Sequence, residues 1–175
     1  FRSHGITSDP SKMLPRPSNE IWNYQQIRLG FHYRMTDIQS ALGISQMARL
    51  EVFVTKRRKI AERYNNELSG LKLKTPWQHV DSYSSYHLYP IRIRSSEAQK
   101  NQRQIYDALQ LEGINVNLHY IPVYRQPYFE SMGFKIGYCP EAEQYYREAL
   151  SIPMYPSISN SDHSKVIQVL QKLLS

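Results

Sequence analysis

The chain has 175 residues, about the size of one domain, and 41% of them are hydrophobic, which is sufficient for a protein with a buried core. Its formal net charge of +7 fits an anionic partner, but Lys and Arg are spread along the chain, so a solvated basic surface explains the excess equally well. The single Cys139 cannot form an intrachain disulfide and, without Cys/His metal spacing, predicts a cytoplasmic protein with no bound metal. No run approaches the roughly 20 apolar residues of a membrane span, so we expect no membrane partner.

The first 70 residues predict a long loop followed by two helices. Three prolines among polar residues make residues 5–26 an irregular loop, of a length that is usually functional or mobile. Thr36 and Gln39 have the spacing of a capping box, so a helix should begin at Thr36, and Gly43 within that helix indicates close contact with another helix. Apolar residues at three- and four-residue intervals predict a second helix over residues 50–68. Its basic group at residues 56–59 is more typical of a solvated face than of a nucleic-acid contact.

The pattern of apolar and polar residues changes after Gly70, where we place a domain boundary. Alternating and β-branched residues predict strands, and amphipathic runs with cap and stop signals predict helices. The resulting second part is a small α+β unit. The predicted strands cover residues 71–74, 86–93 and 114–120, and the predicted helices cover residues 97–112, 126–132, 141–150 and 161–174.

The standard short motifs of catalysis and nucleotide binding are absent, since the chain contains no Walker loop, GxGxxG, HExxH or GxSxG. The histidines beside tyrosines carry modest weight, because lone histidines are usually structural or surface residues. Residues 119–125 (HYIPVYR) form either an anion- and sugar-binding rim at the end of a strand or an aromatic packing edge, with equal weight. The chain has 14 tyrosines, but they are scattered and form no RNP-like motif, so nucleic-acid binding is a weak alternative.

Residues 30–43 (GFHYRMTDIQSALG) and 57–64 (RRKIAERY) resemble the signature of the DegT/DnrJ/StrS sugar aminotransferases. Three further stretches agree in the same order along the chain: residues 1–5 (FRSHG), 119–122 (HYIP) and 150–157 (LSIPMYPS). Within that family, residues 86–91 and the segment at His119 are most similar to the UDP-4-amino-4,6-dideoxy-N-acetyl-β-L-altrosamine transaminases of the pseudaminic acid pathway.

The resemblance implies an α/β fold, namely the C-terminal part of a fold-type I transferase that depends on pyridoxal 5′-phosphate (PLP). Residues 1–70 would be the end of the large PLP domain with its interface helices, and residues 71–175 the small C-terminal α+β domain. The implied activity transfers an amino group from L-glutamate to the C4 ketone of a UDP-linked 4-keto-6-deoxy sugar. The implied assembly is a homodimer with a shared active site.

The resemblance also implies roles for particular residues. The position of His32 is usually Asn in the family and contacts the PLP phosphate of the neighbouring subunit; Arg34 is the best candidate for an anion or structural carboxylate contact. Tyr33, His87, His119 and Tyr120 would line the nucleotide-sugar side of the cleft. The family's cofactor lysine lies in an S-F-x-x-x-K stretch that this chain lacks, so we expect it upstream of Phe1 and expect the chain alone to be inactive.

Two other hypotheses stay open. The chain is alternatively a non-catalytic dimerisation or binding remnant that keeps the family's interface without its chemistry, and exposed apolar surface on residues 36–68 would indicate a missing partner. A basic nucleic-acid-binding domain would show an affinity that falls steeply with salt.

Overall fold

The structure is a computed structural model that describes residues 4–15, 24–94 and 97–175. The chain forms two compact units, Phe1–Arg49 and Leu50–Ser175. The helix that begins at Leu50 therefore groups with the residues that follow it. The domain boundary predicted at Gly70 stays a prediction about the complete enzyme fold.

The first unit contains a short antiparallel hairpin of β1 (Ile6–Thr7) and β2 (Gln25–Gln26), with a 3-10 turn at Pro10–Lys12 between them. The Gln25 side-chain amide binds both backbone groups of Leu14, at 2.8 and 2.9 Å. Gly5 has a φ of +72°, and a Cβ there would lie 1.9 Å from the Arg28 carbonyl oxygen, so only glycine fits. The predicted irregular loop thus has an ordered base, while residues 16–23 of it, like the first three residues of the FRSHG stretch, lie outside the described residues.

Helix α1 (Asp37–Met47) begins where the capping box predicted. The Thr36 hydroxyl accepts the Gln39 N–H at 3.3 Å, and the Gln39 side chain accepts the Thr36 N–H at 2.9 Å. No residue of α1 is buried. A Cβ placed at Gly43 would meet no described atom within 4 Å, so the helix contact expected there is not made by the described part of this chain.

The second unit is built on a three-stranded antiparallel sheet in the order β3-β4-β5. Around it, the predicted helices form, although α3 begins later than expected because Asn101 caps it through a capping box with Gln104. The strands are β3 (Leu73–Lys74), β4 (Tyr89–Ile93) and β5 (Ala149–Ile152), and the helices are α2 (Leu50–Glu67), α3 (Gln102–Leu111), α4 (Pro127–Glu130), α5 (Pro140–Glu148) and α6 (Asn160–Leu174).

One predicted strand is wrong, and one predicted helix ends earlier than expected. The strand expected at residues 114–120 is reduced to one bridge, in which Asn117 and Ser151 exchange both backbone hydrogen bonds, at 3.2 and 2.7 Å. The helix expected at residues 141–150 ends at Glu148, and the following apolar residues form β5, which pairs with β4.

The core of the second unit lies between the sheet and the helices α2, α3 and α6. Strand β4 is buried at every second residue, whereas all four residues of β5 are buried. Burying a large apolar side chain contributes about 1.5–3 kcal/mol relative to exposure. The largest fully buried side chains are Tyr64, Tyr89, Leu68, Ile91, Ile93, Ile105, Leu109, Leu150, Leu170 and Leu174.

Candidate functional site

The predicted cofactor residues lie in the first unit, on the segment that leads into α1. His32, Tyr33 and Arg34 are all exposed. The Tyr33 ring stacks on Phe31 with 5.1 Å between ring centroids, and His32 lies 4.7 Å from the His4 ring. The His4 N–H donates to the Phe31 carbonyl at 3.1 Å, which holds the two histidine-bearing segments together.

Arg34 makes no hydrogen bond or ion pair with the residues that the structure describes. A guanidinium presents five N–H donors in a fixed fork that matches the oxygens of a phosphate or carboxylate. With His32 two residues away, the segment therefore offers donors of the kind that bind an anion.

The basic group of α2 is not a simple solvated face, which corrects that interpretation of residues 56–59. Arg57 and Arg58 are half-buried. Arg58 donates to the Ser84 carbonyl at 3.0 Å, and its guanidinium lies 3.5 Å from the centre of the Tyr83 ring. Two of the four basic residues are thus used to fix the loop before β4.

Arg57 holds the turn that presents His87. One of its terminal nitrogens lies 3.0 Å from the Tyr86 carbonyl, 3.1 Å from the His87 carbonyl and 2.9 Å from the Met154 carbonyl. Tyr86 has a φ of +48°, a left-handed conformation that costs a residue with a Cβ about 1–2 kcal/mol. The Arg57 contacts stabilise that turn, and His87 lies exposed on it.

His119 is half-buried and anchored to the sheet. Its Nδ1 lies 2.9 Å from the Ser151 hydroxyl, and its ring meets the Tyr120 ring edge-on with 4.7 Å between centroids. The peptide bond between His119 and Tyr120 is cis. Tyr120 itself is 69% exposed, so most of its surface is open to a ligand.

In the rest of the predicted rim (residues 119–125), Tyr124 is hydrogen-bonded to a buried carboxylate. Glu143, 6% exposed, accepts the Tyr124 hydroxyl at 2.5 Å and the Gly137 N–H at 2.6 Å. These hydrogen bonds lower the pKa of Glu143, while burial and the bond to Glu143 raise the pKa of Tyr124. Tyr124 therefore serves the fold, and the Nε of Arg125 is buried without a hydrogen-bond partner in the described chain.

The structure brings some of the predicted residues together and leaves others apart. His119 and Tyr120 form one pair, and His32 to Arg34 form a group on the other unit. No hydrogen bond or ring contact joins His87 to His119 within the described residues. Both are nevertheless attached to residues 151–154, His119 through Ser151 and the His87 turn through Met154.

Neither a metal site nor a membrane helix is found in the described ranges. No group of three or more His, Cys, Asp or Glu side chains there could hold a metal ion. Among the same residues, no helix has the length and apolar character needed to cross a membrane.

Sequence reasoning did not single out Arg57 or Ser151, although both lie within the stretches that resemble the family. Their partners are 29 to 97 residues away for Arg57 and 32 residues away for the Ser151 hydroxyl, so no local spacing shows them. The one signal was Ser151 itself, a polar residue within an apolar run.

Comparison with known proteins identifies one family. The DegT/DnrJ/EryC1/StrS aminotransferase family matches residues 1–171. The chain is 35% identical over its whole length to the uncharacterized protein MJ1066 of Methanocaldococcus jannaschii, covering 45% of it. It is 34% identical to the spore coat polysaccharide biosynthesis protein SpsC of Bacillus subtilis over 90% of the chain and 41% of that protein. The chain thus spans less than half the length of these curated relatives.

Solved structures show the same fold. Spr1654 of Streptococcus pneumoniae, described as a sugar aminotransferase, matches with a TM-score of 0.82 and 23% identity, over 98% of this chain and 41% of that one. It has also been solved in PMP and PLP forms. PseC of Helicobacter pylori, an aminotransferase of pseudaminic acid biosynthesis, matches with a TM-score of 0.80 and 24% identity, over 99% of this chain and 44% of that one. The chain has the fold of the C-terminal part of these α/β, fold-type I enzymes.

Proposed function

Because the chain belongs to the DegT/DnrJ/EryC1/StrS aminotransferase family, we propose that the protein carrying it is a PLP-dependent sugar aminotransferase. Its amino donor is L-glutamate, and its acceptor is the C4 ketone of a UDP-linked 4-keto-6-deoxy sugar of the pseudaminic acid type. The similarity to SpsC, a spore coat polysaccharide biosynthesis protein, and the resemblance of residues 86–91 and 119–122 support a sugar substrate.

The single observation that carries the proposal is the exposure of His32 and Arg34 on the first unit. His32 and Arg34 would hold the PLP phosphate, since one offers an imidazole N–H and the other a guanidinium with no described partner. These donors fit a phosphate dianion. When bound, PLP supplies the electron sink of the transfer, and the protein supplies binding and orientation.

The chain's other site residues bind and orient the sugar nucleotide. Tyr33 and Tyr120 are 72% and 69% exposed and offer aromatic faces for a sugar or base. His87 and His119 offer ring nitrogens for sugar hydroxyls or phosphate oxygens. The chain contains no S-F-x-x-x-K stretch, so the proposed activity is that of a protein that supplies the cofactor lysine in addition to these residues.

A second copy of the chain is the partner we propose for α1. Apolar side chains on this helix are exposed although the sequence gives them helical spacing, and a monomer rarely leaves such a face open. A homodimer would cover them and bring in the neighbouring subunit's residues at the cofactor. The exposed apolar residues of α1 are Ile38, Leu42, Ile44 and Met47.

A non-catalytic dimerisation module is the second candidate, favoured by the same apolar face. Nucleic-acid binding is less well supported, because Arg57 and Arg58 bind backbone carbonyls and a tyrosine ring. Binding of PLP separates the aminotransferase from both alternatives.

The test measures PLP binding to the protein as its gene encodes it. Absorbance detects the bound PLP, and a titration gives the Kd for PLP. Arg34→Ala should raise the Kd about 10- to 100-fold, since it removes a charge-assisted hydrogen bond. His32→Ala should raise it less, about three- to tenfold, because a neutral imidazole donates an uncharged hydrogen bond.

The matched control is Arg103→Ala, which removes an exposed guanidinium paired with Asp107 on the other unit. It should leave PLP binding unchanged. Equal Kd values for the wild type and Arg34→Ala would sink the proposed cofactor site.

A further inference from the structure

Ser151 is a polar residue in a strand that is otherwise apolar. Strand β5 has the sequence Ala149, Leu150, Ser151, Ile152, and all four residues are buried, with Ser151 7% exposed. Burying a hydroxyl without a hydrogen bond is unfavourable, so its partner explains why a serine is tolerated there. That partner is the Nδ1 of His119, at 2.9 Å.

Ser151 fixes the segment before His119 as well as its ring. The Asn117 N–H donates to the Ser151 carbonyl at 3.2 Å, and the Ser151 N–H donates to the Asn117 carbonyl at 2.7 Å. The hydroxyl adds a third attachment two residues later. Backbone pairing therefore places the segment, and the hydroxyl, together with the edge-on contact to the Tyr120 ring, sets how the imidazole is turned.

The hydrogen bond at one ring nitrogen decides what the other can do. An imidazole has two neutral tautomers, and a hydrogen-bond partner at Nδ1 fixes the plane of the ring. A serine hydroxyl both donates and accepts, so it holds the ring in either tautomer. Nε2 is then the nitrogen left for a ligand, in a fixed direction.

We propose that Ser151 is a positioning residue that orients His119 toward the UDP-linked keto sugar. The inference rests on the proposed function, in which His119 contacts the sugar nucleotide. Ser151 does not touch the substrate in this scheme; it acts through His119. Its effect should therefore appear in binding of the sugar nucleotide and disappear when the imidazole is absent.

The kinetic test compares Ser151→Thr with Ser151→Val in the PLP-loaded protein. Thr and Val have nearly the same shape, so any packing cost of the extra methyl groups is shared, and only the hydroxyl differs. We expect Ser151→Val to raise the KM for the UDP-linked keto sugar about three- to tenfold over Ser151→Thr, with the KM for L-glutamate within about twofold. In a His119→Ala background the two variants should have equal KM values.

A spectroscopic test needs no substrate. The ring ¹⁵N chemical shifts of His119, assigned by comparison with His119→Ala, report which nitrogen carries the proton. The shifts of Ser151→Thr should match those of the wild type, whereas Ser151→Val should move toward the values of a free, exchanging imidazole. A merely structural role for Ser151 would lower stability without moving these shifts.

The outcomes distinguish failure of the Ser151 proposal from failure of the proposed function. If the wild type is active and His119→Ala raises the KM, but Val and Thr at position 151 behave alike in both assays, the Ser151 proposal is overturned and the proposed function stands. If the ¹⁵N shifts respond to Ser151→Val but the wild type transfers no amino group to any UDP-linked keto sugar, the proposed function fails instead.

Discussion

The two units of this chain differ in how much of their side-chain surface they bury. The second unit encloses a continuous core in which Tyr64, Ile91 and Leu170 are fully buried. In the described part of the first unit only Gly5 and Gln25 are buried, and α1 buries nothing. The same chain therefore combines a unit with a buried core and a segment whose apolar and cationic groups face outward.

The two units also differ in how their polar side chains are used. The second unit uses its polar groups internally: Arg57 binds carbonyls, Glu143 binds Tyr124 and Gly137, and Ser151 binds His119. In the first unit, Arg34 has no partner among the described residues. Groups left unused by the fold are those available to a cofactor or a second subunit, which is why the proposed phosphate site lies there.

The largest expected effect contrasts two leucines on helices. Leu109 on α3 is fully buried, and Leu109→Ala should lower the free energy of unfolding by about 2–5 kcal/mol. Leu42 on α1 is 62% exposed, and Leu42→Ala should change it by less than about 0.5 kcal/mol in the isolated chain. Urea denaturation measures both, and equal losses would break the comparison between the units.

Removing the Arg57 clamp should have the next largest effect. Arg57→Ala leaves the Tyr86, His87 and Met154 carbonyls without their charged donor and should cost about 1.5–3 kcal/mol in urea denaturation. Arg57→Lys should recover only part of this, because the ammonium is more strongly hydrated and sits on a flexible four-carbon stem. The exposed neighbour Lys56 is the matched control, and a comparable loss for Lys56→Ala would show that the clamp is not specific.

The smallest expected effect is a pH dependence from His163 on α6. His163 is 4% exposed, its Nε2 has no described hydrogen-bond partner, and its ring meets Tyr64 edge-on. Burial, and then repulsion by Arg63, lower its pKa below the ordinary 6.5, while Glu67 opposes the shift.

The direction of this pH dependence follows from the difference in proton binding between the folded and unfolded chain. Below pH 6.5, His163 binds a proton in the unfolded chain more readily than in the folded chain, because its pKa is lowered by folding. The free energy of unfolding therefore falls as pH falls, by at most about 1.4 kcal/mol per pH unit. His163→Phe should flatten this slope between pH 7 and 5 in thermal or urea unfolding. An unchanged slope in the variant would assign the acid sensitivity to other groups.

Local signals in the sequence predicted the elements that depend on local contacts. The Thr36–Gln39 capping box fixed the start of α1 because both hydrogen bonds join residues three apart. Strand β5 was missed because a short, mostly apolar run after an amphipathic helix has the periodicity of either element. The roles of Arg57 and Ser151 depend on partners distant along the chain, which no spacing rule reaches.

The central claim is tested most directly by incubating the protein, as its gene encodes it, with PLP, L-glutamate and a UDP-linked 4-keto-6-deoxy sugar. Mass spectrometry should detect the 4-amino sugar nucleotide and an equal amount of 2-oxoglutarate, both reduced in Arg34→Ala and unaffected in Arg103→Ala. Absence of the aminated sugar with PLP bound would contradict the proposed sugar aminotransferase function.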